Sequence, residues 1–410
     1  MERLKNNDFI KNYISTTIKM KLKTILLTIS VCVTAITFGQ TNSLIITADI
    51  NLPKDTIVSN LLIKSLNGFL SQKENPNNEN TFVLNEDLLE TSILLDEVKE
   101  IEKSKRDNDN NFYKGYLTNV TPLKDSKFLV AFSYIRVNEN VPTVVASFEV
   151  LARLKDDKFY FLSPLKRNTL LWKTKTIEGI TFHYKTFLNE NIAKEYAKNV
   201  SQFDKKLKSN SNTVEWYGFD DMNDMLKGIG VSYKLLYNSR TSSTFSAKEN
   251  NSLLIASASD NGSFNSFDPH DLWHERLYNV IPKSKVNKPV DEGCAYLYGG
   301  SWGISWNQIL NMFKEKVSSN PKSDWLSLYE QFYNFGESKE KHLLVGYVIN
   351  ALIIEKIEKE KGFPAVMELL GCGKYEKTNE NYFKALEKLT GINKTNFNDS
   401  VWKLINEGGN

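Results

Sequence analysis

Two of the four histidines in this chain stand one helical turn apart, in His270-Asp271-Leu272-Trp273-His274, and Glu292 follows eighteen residues later in an Asp-Glu-Gly run. Side chains four positions apart share a helix face, so two neutral imidazoles there can converge on one ion. Two histidines and a glutamate, with a fourth position left for water, form an established catalytic Zn2+ arrangement. A hydrolytic site of this type normally carries a glutamate directly after the first histidine, as general base. Here that position holds Asp271, one methylene shorter.

Positioning these residues requires a helix, a reversal and a second helix. Asp268 can accept amide hydrogen bonds as N-cap, and Pro269 suits the first helical position, which makes His270 the second helical residue. Beyond Tyr278 and Ile281, the 282–289 loop with proline at both ends reverses the chain. The 290–298 segment then reads as a helix ended by Gly299-Gly300, with Glu292 in its first turn and able to face the histidines. Upstream, residues 252–256 form a compact apolar strand, followed by the polar loop Asp-Asn-Gly-Ser-Phe-Asn-Ser.

The fold class expected is α+β. From about residue 176 the pattern is strand then helix. Residues 180–184 and 214–217 read as strands, and 220–226 as a helix start. Ile192, Tyr196, Val200, Phe203 and Leu207 recur at three- and four-residue spacing, which predicts an amphipathic helix over 190–207. Helices are expected at 305–317, 323–334, 342–360, 364–370 and 379–388. The region 40–175 reads as a separate β-rich domain of unknown role. Its expected strands are 43–48, 128–137, 141–154 and 158–162, with a short helix or irregular apolar segment at 61–70. Residues 103–111 read as a charged turn or disordered loop.

His-Asp-Leu-Trp-His followed by Val-Asp-Glu-Gly-Cys-Ala resembles the catalytic core of the gluzincin metallopeptidases, particularly the peptidase MA-like branch, whose pattern is HExxH with a downstream Glu-Gly-x-Ala. The resemblance implies a zincin-like domain over 176–410, with His270, His274 and Glu292 as zinc ligands and Asp271 in the place of the general base. It also implies that the 252–256 strand is the edge strand bordering the cleft. The departure at Asp271 leaves two readings: an unusual hydrolase, or a pseudopeptidase that keeps the fold and its metal and binds a peptide or protein. Glu275 cannot readily substitute for the base, because one helical step turns it about 100° away.

Structural readings compete with these. A His-x-x-x-His pair occurs in many helices. Asp271 could serve as reciprocal cap partner to Asp268, and Glu292 could be a first-turn carboxylate favoured by the helix terminus. Asp291 is either a ligand or a supporting group. His342 and Tyr347, at the start of a long helix, are oxyanion candidates for a peptidase and equally core or surface residues. Tyr296, Tyr298, Trp302 and Trp306 could line a groove or simply bury. The third functional reading is a metal-free structural or interaction protein.

Residues 1–39 read as an N-terminal extension and signal peptide, with Met20 as an alternative start. Lys21 and Lys23 precede the apolar 24–36 run, which has the length of a secretory core rather than a membrane span. Cys32 follows Val31, where lipoprotein processing wants a small residue, so a periplasmic or extracellular location is expected over lipidation. This leader holds six basic and two acidic side chains, a net +4 against +3 for the whole chain, leaving −1 downstream. No basic tract there asks for nucleic acid, and no apolar run asks for a membrane. Cys294 and Cys372 could pair or stay free.

Overall fold

The computed structural model describes residues 44–407, apart from 105, 107, 210–212, 259–261, 318–319, 321, 337–340 and 377. The expected leader, including Cys32, lies outside the described residues. The fold is α+β, with two five-stranded sheets and thirteen α-helices among the described residues. It divides into two compact units. The first comprises residues up to Pro164 together with Ile229–Asn238; the second comprises Leu165–Gly228 and Ser239–Asn410.

In the first unit, β1 (Lys114–Pro122), β2 (Lys127–Asn138), β3 (Val141–Lys155) and β4 (Lys158–Leu162) form an antiparallel meander, and β8 (Val231–Lys234) adds to β3. The β2–β3 hairpin closes through Glu139 and Asn140, whose φ values of 50° and 61° put both in the left-handed region, so the two-residue turn matches the right-handed twist of the strands it joins. Phe128, Val130, Phe132 and Tyr134 alternate onto one buried face of β2. Helix α1 (Thr56–Ser71) is capped by Asp55, which accepts from the Ile57 and Val58 amides, and buries Leu62, Leu66 and Phe69. Phe69 meets Phe161 of β4 at 5.1 Å between ring centroids. Each such buried side chain contributes about 1.5–3 kcal/mol.

Several elements of this unit differ from expectation, strands β1 and β8 being additions to the expected set. Of the expected 43–48 strand, residue 43 lies outside the described residues and 44–48 do not form a strand. Ile45 alone bridges Tyr116, and a turn closed by Ile50 N–H to the Thr47 carbonyl follows at once. Helix α2 (Leu88–Val98) is an added element, and nearly all its residues are buried, polar Glu90, Thr91 and Ser92 included.

The second unit carries the site. Its sheet runs β5 (Lys173–Ile177), β6 (Ile180–Tyr184), β7 (Thr213–Gly218), β10 (Ser252–Ser257), β9 (Thr244–Glu249). The three inner strands are parallel and both edges antiparallel. The 252–257 strand is therefore internal, and the edge beside it is the polar 244–249 segment. Helices α3 (Leu165–Asn168), α4 (Glu190–Leu207) and α5 (Met222–Ile229) belong to this first, sheet-forming stretch of the chain. Helix α4 carries the predicted bounds and buries Ala193, Tyr196, Val200, Phe203 and Leu207.

Seven further helices are α6 (Pro269–Tyr278), α7 (Lys288–Gly299), α8 (Trp306–Lys316), α9 (Trp325–Glu330), α10 (Val345–Lys361), α11 (Phe363–Leu370) and α12 (Glu380–Thr390), and α13 (Phe397–Glu407) ends the chain's described part. Helix α10 is the centre of this bundle. Val345, Val348, Ile349, Leu352 and Ile353 are all buried, as befits a first half, 345–354, that is apolar nearly all round. It begins at Val345 rather than 342, because residue 344 bridges Asn334. Helix α9 ends at Glu330, short of the expected 334, and Phe332 just beyond it takes φ 51°. Among the described residues, no helix is long and apolar enough to cross a membrane. Cys294 and Cys372 are free thiols.

Candidate metal centre

Helix α6 begins as its sequence dictates. Asp268 accepts from the His270 amide at 2.9 Å, with Pro269 in the first turn. Helix α7 returns beside it, and the Gly299-Gly300 pair permits the approach. A Cβ on Gly299 would sit 2.6 Å from the His270 backbone nitrogen, and Gly300 takes φ 75° with Ile304 O crowding its missing Cβ. A side chain at Gly299 would push the two helices apart, and one at Gly300 would strain the turn that follows.

The close approach delivers the Gly300 carbonyl to His270, whose Nδ1–H donates to it at 2.8 Å. His274 Nδ1–H likewise donates to Asp291 Oδ1 at 2.9 Å. With both Nδ1 atoms serving as donors, both neutral rings present a bare Nε2 lone pair. The two Nε2 atoms lie 3.2 Å apart, and Glu292 Oε2 sits 3.4 Å from that of His270 and 3.9 Å from that of His274. With both rings unprotonated at Nε2, three electron-rich atoms face one another, an arrangement that a proton or a metal cation would relieve. A tetrahedral ion with bonds of about 2.0–2.1 Å sets its ligand atoms roughly 3.3 Å apart; the 3.2 and 3.4 Å separations match this, and the 3.9 Å one is wider. His270, His274 and Glu292 are close enough together to hold a metal ion.

Asp291 proves to be a support. It is buried, and its carboxylate accepts from His274, from Trp273 Nε1 at 3.1 Å and from Tyr278 OH at 2.7 Å. Carboxylate–histidine pairs of this kind fix the tautomer and raise ligand basicity. Burial and the Asp291 charge hold the Tyr278 phenol well above its ordinary pKa, so it stays a donor. Asp291→Asn should weaken metal binding roughly 10–100-fold. A competition titration against a chelator reads this directly, and an unchanged affinity would remove Asp291 from the site.

Asp271 and Glu292 do not play the capping roles open to them. Asp271 is in the first turn of α6, yet its side chain makes no hydrogen bond to the Asp268 amide among the described residues. In α7 the first-turn carboxylate is Asp291, with Glu292 beyond it. The Asp271 residue is exposed, but its carboxyl is partly shielded by surrounding protein. That desolvation and the Asp268 charge raise its pKa, against the pull of His270 and His274.

At His270, burial disfavours the charged ring, but the Glu292 carboxylate and the Gly300 carbonyl outweigh it and raise the pKa. Proton and metal compete for the same Nε2. Metal affinity should therefore climb as pH rises through the elevated His270 pKa and level off above it. Isothermal titrations across pH 5.5–8.5 test this; a flat profile would contradict it.

The remaining candidates are placed differently. His342 is exposed ahead of α10, 3.4 Å from Asn334 Nδ2, while its carbonyl accepts from Trp302 Nε1 at 3.1 Å. Tyr347 packs edge-on against Tyr296 with ring centroids 5.6 Å apart. Tyr296 is buried, Tyr298 donates to Glu358 Oε2 at 2.6 Å, and Trp302 is 48% exposed. His183 is a sheet residue of β6, bonded to Glu215 and stacked on Tyr217.

A clamp absent from the sequence reading fixes α6 to α4. Arg276, fully buried, donates Nε to Asp204 Oδ1 at 2.8 Å and Nη2 to Oδ2 at 2.6 Å. Glu275 beside it is pushed by burial up to about 7. The available signal was Asp204 interrupting the α4 apolar stripe between Phe203 and Leu207. Beyond His274 and Glu292 opens a cavity of about 690 Å³, walled also by Tyr278, Val286 and Tyr375 and by three lysines. No family model matches the chain, and no curated protein or solved structure matches it.

Proposed function

We propose that the second unit is a zincin-like module that binds one zinc ion through His270, His274 and Glu292, in an exported pseudopeptidase that binds a peptide or protein. The observation that carries this reading is the paired commitment of both Nδ1 atoms, which turns both Nε2 lone pairs toward Glu292. Zinc held there would supply Lewis acidity toward water or a peptide carbonyl. The chain's own residues do the rest: Asp291 and Gly300 orient the rings, and the adjoining cavity receives the ligand. The basic-then-apolar start of the sequence supports export.

The choice of pseudopeptidase rests on Asp271. Its carboxylate is held one methylene further back than a glutamate in the same helical position, a retreat of about 1 Å that can cost roughly a hundredfold when proton transfer needs close placement. Tyr347 and His342 have the surroundings of packing and surface residues. An active metallopeptidase with Asp271 as base is the second reading, favoured by a carboxylate that makes no hydrogen bond among the described residues.

Asp271→Glu separates the two. With zinc loading confirmed in both proteins, the variant should hydrolyse a quenched fluorescent peptide library at least about tenfold faster than the near-background parent. Robust turnover by the parent, not exceeded by the variant, would establish the peptidase and end the pseudopeptidase reading. A zinc-loaded but inert variant would locate further losses outside residue 271.

A further inference from the structure

The cavity beside the metal ligands has a charge pattern that no feature of the metal centre requires. Lys283, Lys288 and Lys374 line it, from the reversal loop, the start of α7 and the turn after α11. The only carboxylates in the same wall are Asp291 and Glu292. Both Asp291 oxygens are occupied by Trp273, His274 and Tyr278, and Glu292 faces the histidines. Lys288 Nζ lies 3.9 Å from Glu292 Oε1, whereas Lys283 Nζ sits over the Tyr278 ring, 5.4 Å from its centroid. Lys374 makes no ion pair among the described residues.

Lys288 is the i,i+4 partner of Glu292, but Lys283 and Lys374 come from separate segments and make no ion pair with either carboxylate of this wall. The wall is also held in place. Asn287 is fully buried, its amide donates to the Leu370 carbonyl at 2.8 Å, and its side chain donates to the Gly373 carbonyl at 3.1 Å. These bonds tie the loop carrying Lys283 to the turn carrying Lys374, so the cationic groups stand on braced backbone. Tyr278, Val286 and Tyr375 give the cavity apolar sides suited to an aliphatic stem.

We propose that this cavity is a recognition subsite for a carboxylate of the bound peptide, carried on the residue next to the one at the metal centre. The inference rests on the zincin-like reading above and adds to it the class of ligand, an acidic peptide. Cationic side chains around a concave wall focus field into it and raise the local concentration of anionic groups. The carboxylate comes from a glutamate or aspartate side chain, or from a peptide C-terminus, and the two sources share one chemistry.

The test uses the zinc-loaded full chain and dansylated alanine hexapeptides bearing a single Glu, Gln or Lys, each with a free or an amidated C-terminus. Fluorescence anisotropy should show roughly tenfold tighter binding of the carboxylate-bearing peptides than of the neutral amidated Gln peptide, with the Lys peptide weakest, and a smaller preference at 0.5 M salt. An amidated Glu peptide that keeps the advantage assigns the site to a side chain; one that loses it to the free C-terminus assigns it to the terminal carboxylate. The double variant Lys283→Glu/Lys374→Glu should abolish or invert the preference, and Lys283→Gln/Lys374→Gln should reduce it with less risk to folding. Equal binding of charged and neutral peptides, no binding at all, or a preference unchanged in the folded Gln variant would overturn the proposal. Zinc is quantified in every sample. A chain without zinc counts against the functional reading, whereas loss of discrimination in a zinc-loaded chain counts against the subsite alone.

Discussion

Replacing His270 or His274 with alanine is expected to strip zinc from a chain that still folds. Each imidazole supplies one of only three side-chain donors, so the loss should exceed the roughly 10–100-fold expected when an outer partner such as Asp291 is altered. Neither ring is a large part of the core; both are only partly buried, and the neighbouring Leu272, Trp273 and Leu277 anchor α6. The helix should therefore persist, as circular dichroism can confirm. Relief of the close Nε2–Nε2 contact of 3.2 Å should even favour the metal-free variants slightly over the metal-free parent. Zinc content that stays stoichiometric in either folded variant would remove that histidine from the site.

The second large effect concerns the scaffold. Asp204→Ala leaves the Arg276 guanidinium buried with no bidentate partner, and breaking a buried pair in this way costs about 3–5 kcal/mol. At Asp204 burial raises the pKa while Arg276 lowers it, and the balance lies above the ordinary carboxylate value. The pair thus marks an expensive desolvation that Arg276 chiefly, with a smaller pull from Lys248, offsets in part. Chemical denaturation of the metal-free protein should show a clearly reduced midpoint for Asp204→Ala. The double change Asp204→Leu/Arg276→Met should recover much of the loss, since it removes both charges together. A single variant as stable as the parent would show that α6 is held by its apolar contacts alone.

How much of this was legible depended on whether the signal was local. The 190–207 helix could be bounded because five apolar residues mark one face; that Asn189 caps it came only with the structure. The histidine helix was legible from Asp268-Pro269, and the return of Glu292 from the proline-bounded reversal and the double glycine. Helix 88–98 escaped because its polar residues are buried with its leucines, which erases the contrast that periodicity needs. The 244–249 edge strand escaped for the opposite reason: Thr-Phe-Ser-Ala-Lys-Glu buries only Ala247 and reads as loop. The pairing of Val231–Lys234 with the first unit's sheet is a non-local contact with no sequence period at all.

Within the site, residue identities were readable and their division of labour was not. Asp291 and Glu292 are adjacent carboxylates, and only the rotation of α7 decides that one supports His274 while the other faces both Nε2 atoms. The Gly300 carbonyl could not be foreseen as the acceptor for His270, because that contact depends on how closely two helices cross. The lysine-lined cavity is assembled from segments some ninety residues apart in sequence, so it has no local signature.

The central claim is that His270, His274 and Glu292 form one zinc site. Its most direct test is elemental analysis of the purified, untagged chain after exposure to zinc at neutral pH and removal of loosely bound metal. About one zinc per folded chain is the predicted result. A folded chain that retains none would contradict the account and leave the converging histidines as packing within a metal-free interaction protein.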